Sequence, residues 1–238
     1  MSLPLRHELK YLISRQQAAL LQNRLRPFLT LDPHSLDHSL GYQVTSLYFD
    51  DYQLSSYFEK LDGVEERIKF RLRTYNFDPQ VINFETKIKK GELCQKSAIA
   101  LDSTQYQQLK KGNFAQLQKQ NPDLALAAQL KLLTPRLVID YQRLAFIKPD
   151  SNDLRITFDD HLQISHSSFD LFTPEAHAWQ TVLPPHLLIL EVKYNQYFPI
   201  FLSQLFSAFP LHQIAVSKYI FCQQLARNRN LCQQLLTN

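Results

Sequence analysis

Seven consecutive residues, Arg67-Ile68-Lys69-Phe70-Arg71-Leu72-Arg73, place a base at each odd position and an apolar side chain at each even one. A strand sends those two sets to opposite faces. Four like charges on one strand face repel one another, so the fold must supply water, opposite charge or an anionic ligand beside them. The pattern recurs. Glu85 and Lys87 oppose Phe84 and Ile88, Arg155 and Asp159 oppose Ile156 and Phe158, Glu191 and Lys193 oppose Leu190 and Val192, and Glu8 and Lys10 flank Leu9. If such a sheet closes, an interior crowded with Arg and Lys makes sense only for a polyanion. A few carboxylates among them suggest a divalent metal. Side-chain clamps of Arg and Lys with Mg²⁺ or Mn²⁺ are the recurring equipment of phosphoryl transfer, because they stabilise charge spread over the equatorial oxygens.

Glycine limits the alternatives. The four glycines, Gly41, Gly63, Gly91 and Gly112, are too far apart for GxGxxG or GxxxxGK, so any bound anion must be held by side chains. His34, Asp37 and His38 have a spacing that could hold a metal on a helix, but among Pro33, Ser35 and Ser39 they read as a solvated loop. Lys89-Lys90-Gly91-Glu92 reads as a hairpin turn, with a basic rim that attracts polyanions as its second reading. Tyr75 and Phe77 read first as packing and second as a platform for a base. No Ser-His-Asp triad is evident.

The elements that must carry these side chains are mostly strands. Period-two runs predict strands at Arg6 to Ile13, Val44 to Phe49, Arg67 to Tyr75, Val81 to Ile88, Leu137 to Ile147, Leu154 to Phe158 and Leu187 to Tyr194. Ser14 with Gln17 forms a capping box before Leu20, Leu21 and Leu25, and Pro27 closes that helix. A second helix is expected to start after Asp102 and stop at Gly112. Asn121-Pro122 opens a third over Asp123 to Leu133, and a fourth is expected from Tyr219 to Leu236. Five strands with one charged and one apolar face, in a chain with several helices, fit a sheet whose apolar side the helices cover.

The chain has 238 residues, with 26 Lys and Arg against 22 Asp and Glu for a net charge of +4. That length allows one large domain or two small ones, and a single domain is expected; hydrophobic residues make up 45%, which excludes disordered and collagen-like classes. Arg6, His7, Glu8 and Lys10 stand where a signal peptide would need its apolar run, so a cytoplasmic location is expected. No charge occurs between Lys193 and Lys218, but Pro199, Gln204, Pro210, His212 and Gln213 make that stretch a buried helix and loop rather than a membrane span. Cys94, Cys222 and Cys232 form no CxxC pair and are expected as reduced core thiols.

In chain order, the segments Arg6-His7-Glu8-Leu9-Lys10-Tyr11, Ser46-Leu47-Tyr48-Phe49-Asp50, Lys69-Phe70-Arg71-Leu72-Arg73, Phe84-Glu85-Thr86-Lys87, Tyr141-Gln142-Arg143-Leu144-Ala145-Phe146, Leu190-Glu191-Val192-Lys193 and Ser217-Lys218-Tyr219 resemble the VTC family. This is the polyphosphate polymerase domain of the vacuolar transporter chaperone complex, within the triphosphate tunnel metalloenzyme superfamily. The resemblance implies an α+β fold: an antiparallel eight-stranded closed β-barrel with a charged interior and flanking helices. It implies transfer of the γ-phosphate of ATP onto a growing polyphosphate chain, with Mn²⁺ or Mg²⁺. The family's phosphate-binding bases match Lys10, Arg71, Arg73, Lys87, Lys96, Arg143, Arg155 and Lys218, with Ser217 as a hydroxyl ligand. Arg67, Lys69 and Lys193 join them as cofactor-binding candidates. Glu191 matches the metal ligand, with Glu8 and Asp159 as further metal candidates. Glu8 departs from the fungal members and resembles half of the superfamily's ExExK motif, whose first Glu is Arg6 here.

The alternatives differ in what meets the phosphate. A tunnel-type triphosphatase or nucleotidyl cyclase would direct water or the ribose hydroxyl at it, and a non-catalytic module would only hold polyphosphate or, on the basic strand, RNA. ATP and polyphosphate are the expected partners. No nucleic acid and no membrane span is expected, and a separate membrane partner is compatible with the sequence.

Overall fold

A computed structural model describes residues 7–35, 41–90, 93–149, 151, 153–214 and 217–227. Arg6, Asp37, His38, the Gly91-Glu92 turn, Cys232 and the far end of the expected last helix lie outside the described residues. The strands are β1 (His7–Ser14), β2 (Thr30–Leu31), β3 (Tyr42–Asp50), β4 (Glu66–Tyr75), β5 (Asn83–Lys90), β6 (Leu93–Ala100), β7 (Thr134–Ile147), β8 (Leu154–Ser165), β9 (Gln180–Thr181), β10 (Leu187–Tyr194) and β11 (His212–Gln213). The α-helices are α1 (Arg15–Leu25), α2 (Ser55–Leu61), α3 (Ser103–Lys110), α4 (Pro122–Leu130), α5 (Ile200–Ser207) and α6 (Lys218–Arg227). Hydrogen bonds order the strands β11-β1-β10-β8-β7-β3-β4-β5-β6, with β2 on β7 and β9 on β8. Among the described residues, three of the eleven strands are two-residue pieces, which leaves eight long ones. Among the described residues the path ends at β11 and β6 without closing. The fold is therefore mixed α+β on an antiparallel sheet, and the closed barrel expected from the resemblance is not made by hydrogen bonds. No described helix is long and apolar enough to cross a membrane.

Contacts gather the chain into two compact units. One comprises residues 1–43, 141–162 and 181–217, and the other 44–140, 163–180 and 218–238. In the first, the capping box at Ser14 and Gln17 starts α1, which lays Ala18, Leu21 and Leu25 against Ile156 and Phe158 of β8 and Leu190 and Val192 of β10. In the second, the even residues of the basic strand meet their match: Leu72 and Phe70 of β4 join Leu47 and Phe49 of β3 and Phe84 of β5, covered by Tyr106 and Leu109 of α3 and Ala125 and Ala128 of α4. Each such Phe or Leu removed from water contributes about 2 kcal/mol, which holds the odd, charged residues to the other face. Asp102 with Gln105 makes a second capping box at α3, and Asn121 accepts from the Leu124 amide at α4, which stops at Leu130 rather than Leu133.

Gly41 enters β3 at φ +92°, and a Cβ there would stand 2.1 Å from the Arg143 carbonyl oxygen. Only glycine fits so close to the β7 backbone.

Candidate phosphate-binding site

On the charged face of the second unit, register decides which bases meet. Arg71 stands opposite Tyr48 of β3 and Glu85 of β5, Arg73 opposite Ser46 and Asn83, and Lys69 opposite Lys87, which faces Lys96 of β6. Glu85, only 3% exposed, is the hub. Its Oε2 accepts from Arg71 Nε at 2.7 Å and lies 3.6 Å from Arg73 Nη1, and its Oε1 accepts from Lys96 Nζ at 2.6 Å. Arg73 Nε also donates to Ser46 Oγ at 3.0 Å and Arg71 Nη1 to the Tyr48 hydroxyl at 2.9 Å. Lys69 Nζ sits 5.3 Å from the centre of the Tyr219 ring. Buried Arg67 donates to the Val64 carbonyl. Lys218 is the first residue of α6, and Ser217 precedes it.

One carboxylate thus faces three cations. Burial would raise the Glu85 carboxyl, but Arg71, Arg73 and Lys96 hold it well below the usual carboxylate range. Its contribution to stability is present above the ordinary Glu value and is lost as pH falls through the depressed one. Glu85→Gln is expected to cost about 2 kcal/mol, below a fully buried pair because Lys96 is half in water. Adding tripolyphosphate should then raise the melting temperature of Glu85→Gln more than that of the wild type, which thermal denaturation with and without the anion reads directly.

Lys96 offers a pH handle. Burial, reinforced by Arg71 and Arg73, outweighs Glu85 and brings its amine down to about 8. A polyanion prefers the protonated form, so tripolyphosphate affinity should decline as pH rises through about 8, with proton uptake on binding near that pH. Lys96→Arg keeps the charge and should move the decline to higher pH in calorimetric titrations.

The first unit carries a second charged face. Across β1, β10 and β8, Glu8, Lys193 and Arg155 form one row, and Lys10, Glu191 and Thr157 the next. Lys10 Nζ pairs with Glu8 at 2.6 Å, and Lys193 Nζ with Glu191 at 2.6 Å. Burial lowers the Lys193 amine against the pull of Glu191 and Glu8. Arg143 holds both oxygens of fully buried Asp159, at 2.6 and 2.8 Å, and Asp159 raises the guanidinium further although burial opposes it. Arg155 is gripped by buried Asp32 and donates to the Tyr42 hydroxyl at 2.8 Å.

A divalent metal would need hard oxygen donors. Among the described residues no group of three or more His, Cys, Asp and Glu could hold a metal ion. Glu191 nevertheless stands opposite Thr157, whose buried Oγ1 has no hydrogen-bond partner among the described residues. One carboxylate beside an orphaned hydroxyl suits Mg²⁺ or Mn²⁺, which take one or two protein carboxylates and complete their shell with waters and substrate phosphates. Glu191, with Glu8 one row away, fits such a cation. Asp159 does not, because Arg143 occupies both its oxygens.

A model described as the VTC domain matches residues 5–226. The chain belongs to the VTC domain family. No curated protein matches it significantly. Among solved structures, this VTC domain is similar to a candidate adenylate cyclase from Bacillus halodurans, at TM-score 0.53 and 10% identity over 91% of this chain and 96% of that one. It is also similar to a candidate adenylyl cyclase from Hippeastrum described as having a dominant triphosphatase activity, at TM-score 0.52 and 12% identity over 93% of this chain and 96% of that one. At these identities the likeness is one of fold.

Two carboxylates that pair with the candidate bases were not singled out by sequence. Glu85 reads as one more charged face residue until register places it between Arg71 and Lys96, and Asp32 sits in a turn with no pattern pointing to Arg155. For Glu85 a signal existed: it is the carboxylate on the strand predicted to follow a run of four bases.

Proposed function

We propose that this chain is a metal-dependent, polyphosphate-synthesising phosphotransferase that moves the γ-phosphate of ATP onto a growing polyphosphate chain. The observation that carries the reading is the convergence of Arg71, Arg73 and Lys96 on the buried Glu85 carboxylate, with Lys69 and Lys87 adjacent in the register. An anion with oxygens repeating along a chain suits bases set in rows this way. Lys10, Arg71, Arg73, Lys87, Lys96, Arg143, Arg155, Ser217 and Lys218 are the phosphate ligands in this reading, with Arg67, Lys69 and Lys193 beside them. The closed tunnel and a single catalytic domain belong to the same proposal. Attack by a terminal phosphate oxygen needs no general base, so these side chains act by holding donor and acceptor in line and by stabilising transferred charge. Glu191 and Glu8 would hold Mn²⁺ or Mg²⁺, which would supply neutralisation of phosphate charge there.

Incubation with ATP and Mn²⁺ tests the reading by its product. Long-chain polyphosphate is expected. Orthophosphate alone would point to a triphosphatase and cyclic nucleotide to a cyclase, whereas tight, salt-dependent polyanion binding without turnover would make the chain a binding module.

A further inference from the structure

Tyr48 lies among the bases of the second unit without being one of them. It is 7% exposed, and its ring stacks on Tyr219 at 5.2 Å between centroids and 18° between planes. That partner is itself fixed, because the Tyr219 hydroxyl donates to Asp50 Oδ2 at 2.7 Å while Asp50 Oδ1 accepts the backbone amides of Asp51 and Ser56. The Tyr48 hydroxyl therefore has little freedom to move. It accepts from Arg71 Nη1 at 2.9 Å. A phenol that accepts still has one proton to donate. Among the described residues that proton has no acceptor, although the group is almost wholly buried.

We propose that the Tyr48 hydroxyl is a direct phosphate ligand, donating its proton to an oxygen of the same phosphoryl group that Arg71 and Arg73 bind. The inference rests on the phosphate-binding reading of this face. Three features favour a phosphate oxygen as the missing acceptor. Arg71 binds the hydroxyl and Glu85 together, so the donor stands one side chain away from the charge hub. Arg71, Arg73 and Lys218 create positive potential at the oxygen, strong enough to bring the phenol below its ordinary value although burial pushes it up. An anion is drawn to that potential and a neutral acceptor is not. Finally, a phenol adds a hydrogen bond without adding charge, which suits a face where one more cation beside Arg71, Arg73 and Lys96 would add to the repulsion.

Tyr48→Phe removes the oxygen and keeps the stacked ring. Calorimetric titration with tripolyphosphate is expected to show affinity reduced by about tenfold to a hundredfold, the worth of a hydrogen bond to a charged group. The melting temperature of the empty protein should change little. The alternative is that Tyr48 acts only by orienting Arg71, and a double-mutant cycle with Arg71→Ala separates the two. If Tyr48 contacts phosphate itself, most of the loss persists in the Arg71→Ala background. A loss that vanishes there makes Tyr48 a positioning residue and overturns the inference, as does an unchanged affinity in the single variant. A wild-type chain that does not bind tripolyphosphate overturns the phosphate reading itself, whereas wild-type binding with Tyr48→Phe unaffected overturns this inference alone.

Discussion

Glu191→Gln is expected to lower the rate of ATP turnover by about a hundredfold or more and to raise the metal concentration needed for half-maximal rate. The carboxylate is 5% exposed, pairs with Lys193 and stands opposite Lys10 in the register. Gln keeps the shape and one acceptor oxygen, so a residue serving only to neutralise Lys193 would tolerate the change with a modest loss. A hard divalent cation would not, because it prefers an anionic oxygen. Polyphosphate affinity measured without metal should survive or rise, since the face loses a negative charge. Unchanged metal dependence in this variant would remove Glu191 from the metal site and transfer the role to Glu8.

Arg71→Ala and Arg73→Ala are each expected to lower turnover by about a hundredfold or more while leaving thermal stability nearly unchanged. Breaking a buried ion pair is usually costly because it strands the partner charge. Here it does not strand Glu85, which in either variant retains two of its three cations. Removal also relieves repulsion among the bases. The transition state, by contrast, loses a charge-assisted donor that no neighbour replaces. A large fall in melting temperature would show that the guanidinium holds the sheet together rather than the substrate.

The alternating strands were legible in the sequence because a period of two needs no knowledge of neighbours. β10 falls on Leu187–Tyr194 as expected, and the charged and apolar faces of β4 separate as the alternation requires. β6 had no such mark, since Leu93 to Ala100 mixes small, polar and apolar residues. α2 was missed for a different reason. It starts from Leu54 at φ +58°, whose side chain cannot cap, and the carboxylates that accept its first amides, Asp51 and Asp50, stand four and six residues before those amides rather than at the spacing of a capping box. The pairing of bases with carboxylates was less accessible still. Arg71 and Glu85 meet through register across a hairpin, whereas Arg155 and Asp32 are far apart in sequence. Nor does any linker announce the two units, because each is assembled from segments that alternate along the chain.

Gly41 carries no chemistry, yet its lack of a side chain lets the backbone just before β3 lie against the carbonyl of Arg143. Any other residue would push on the backbone that aims the Arg143 guanidinium at Asp159. A saturation library scored for growth or turnover should therefore rank position 41 among the least tolerant in the chain, beside the bases. Reading such a map as a list of reactive groups would misassign it, because here intolerance records the space that one missing methyl leaves open.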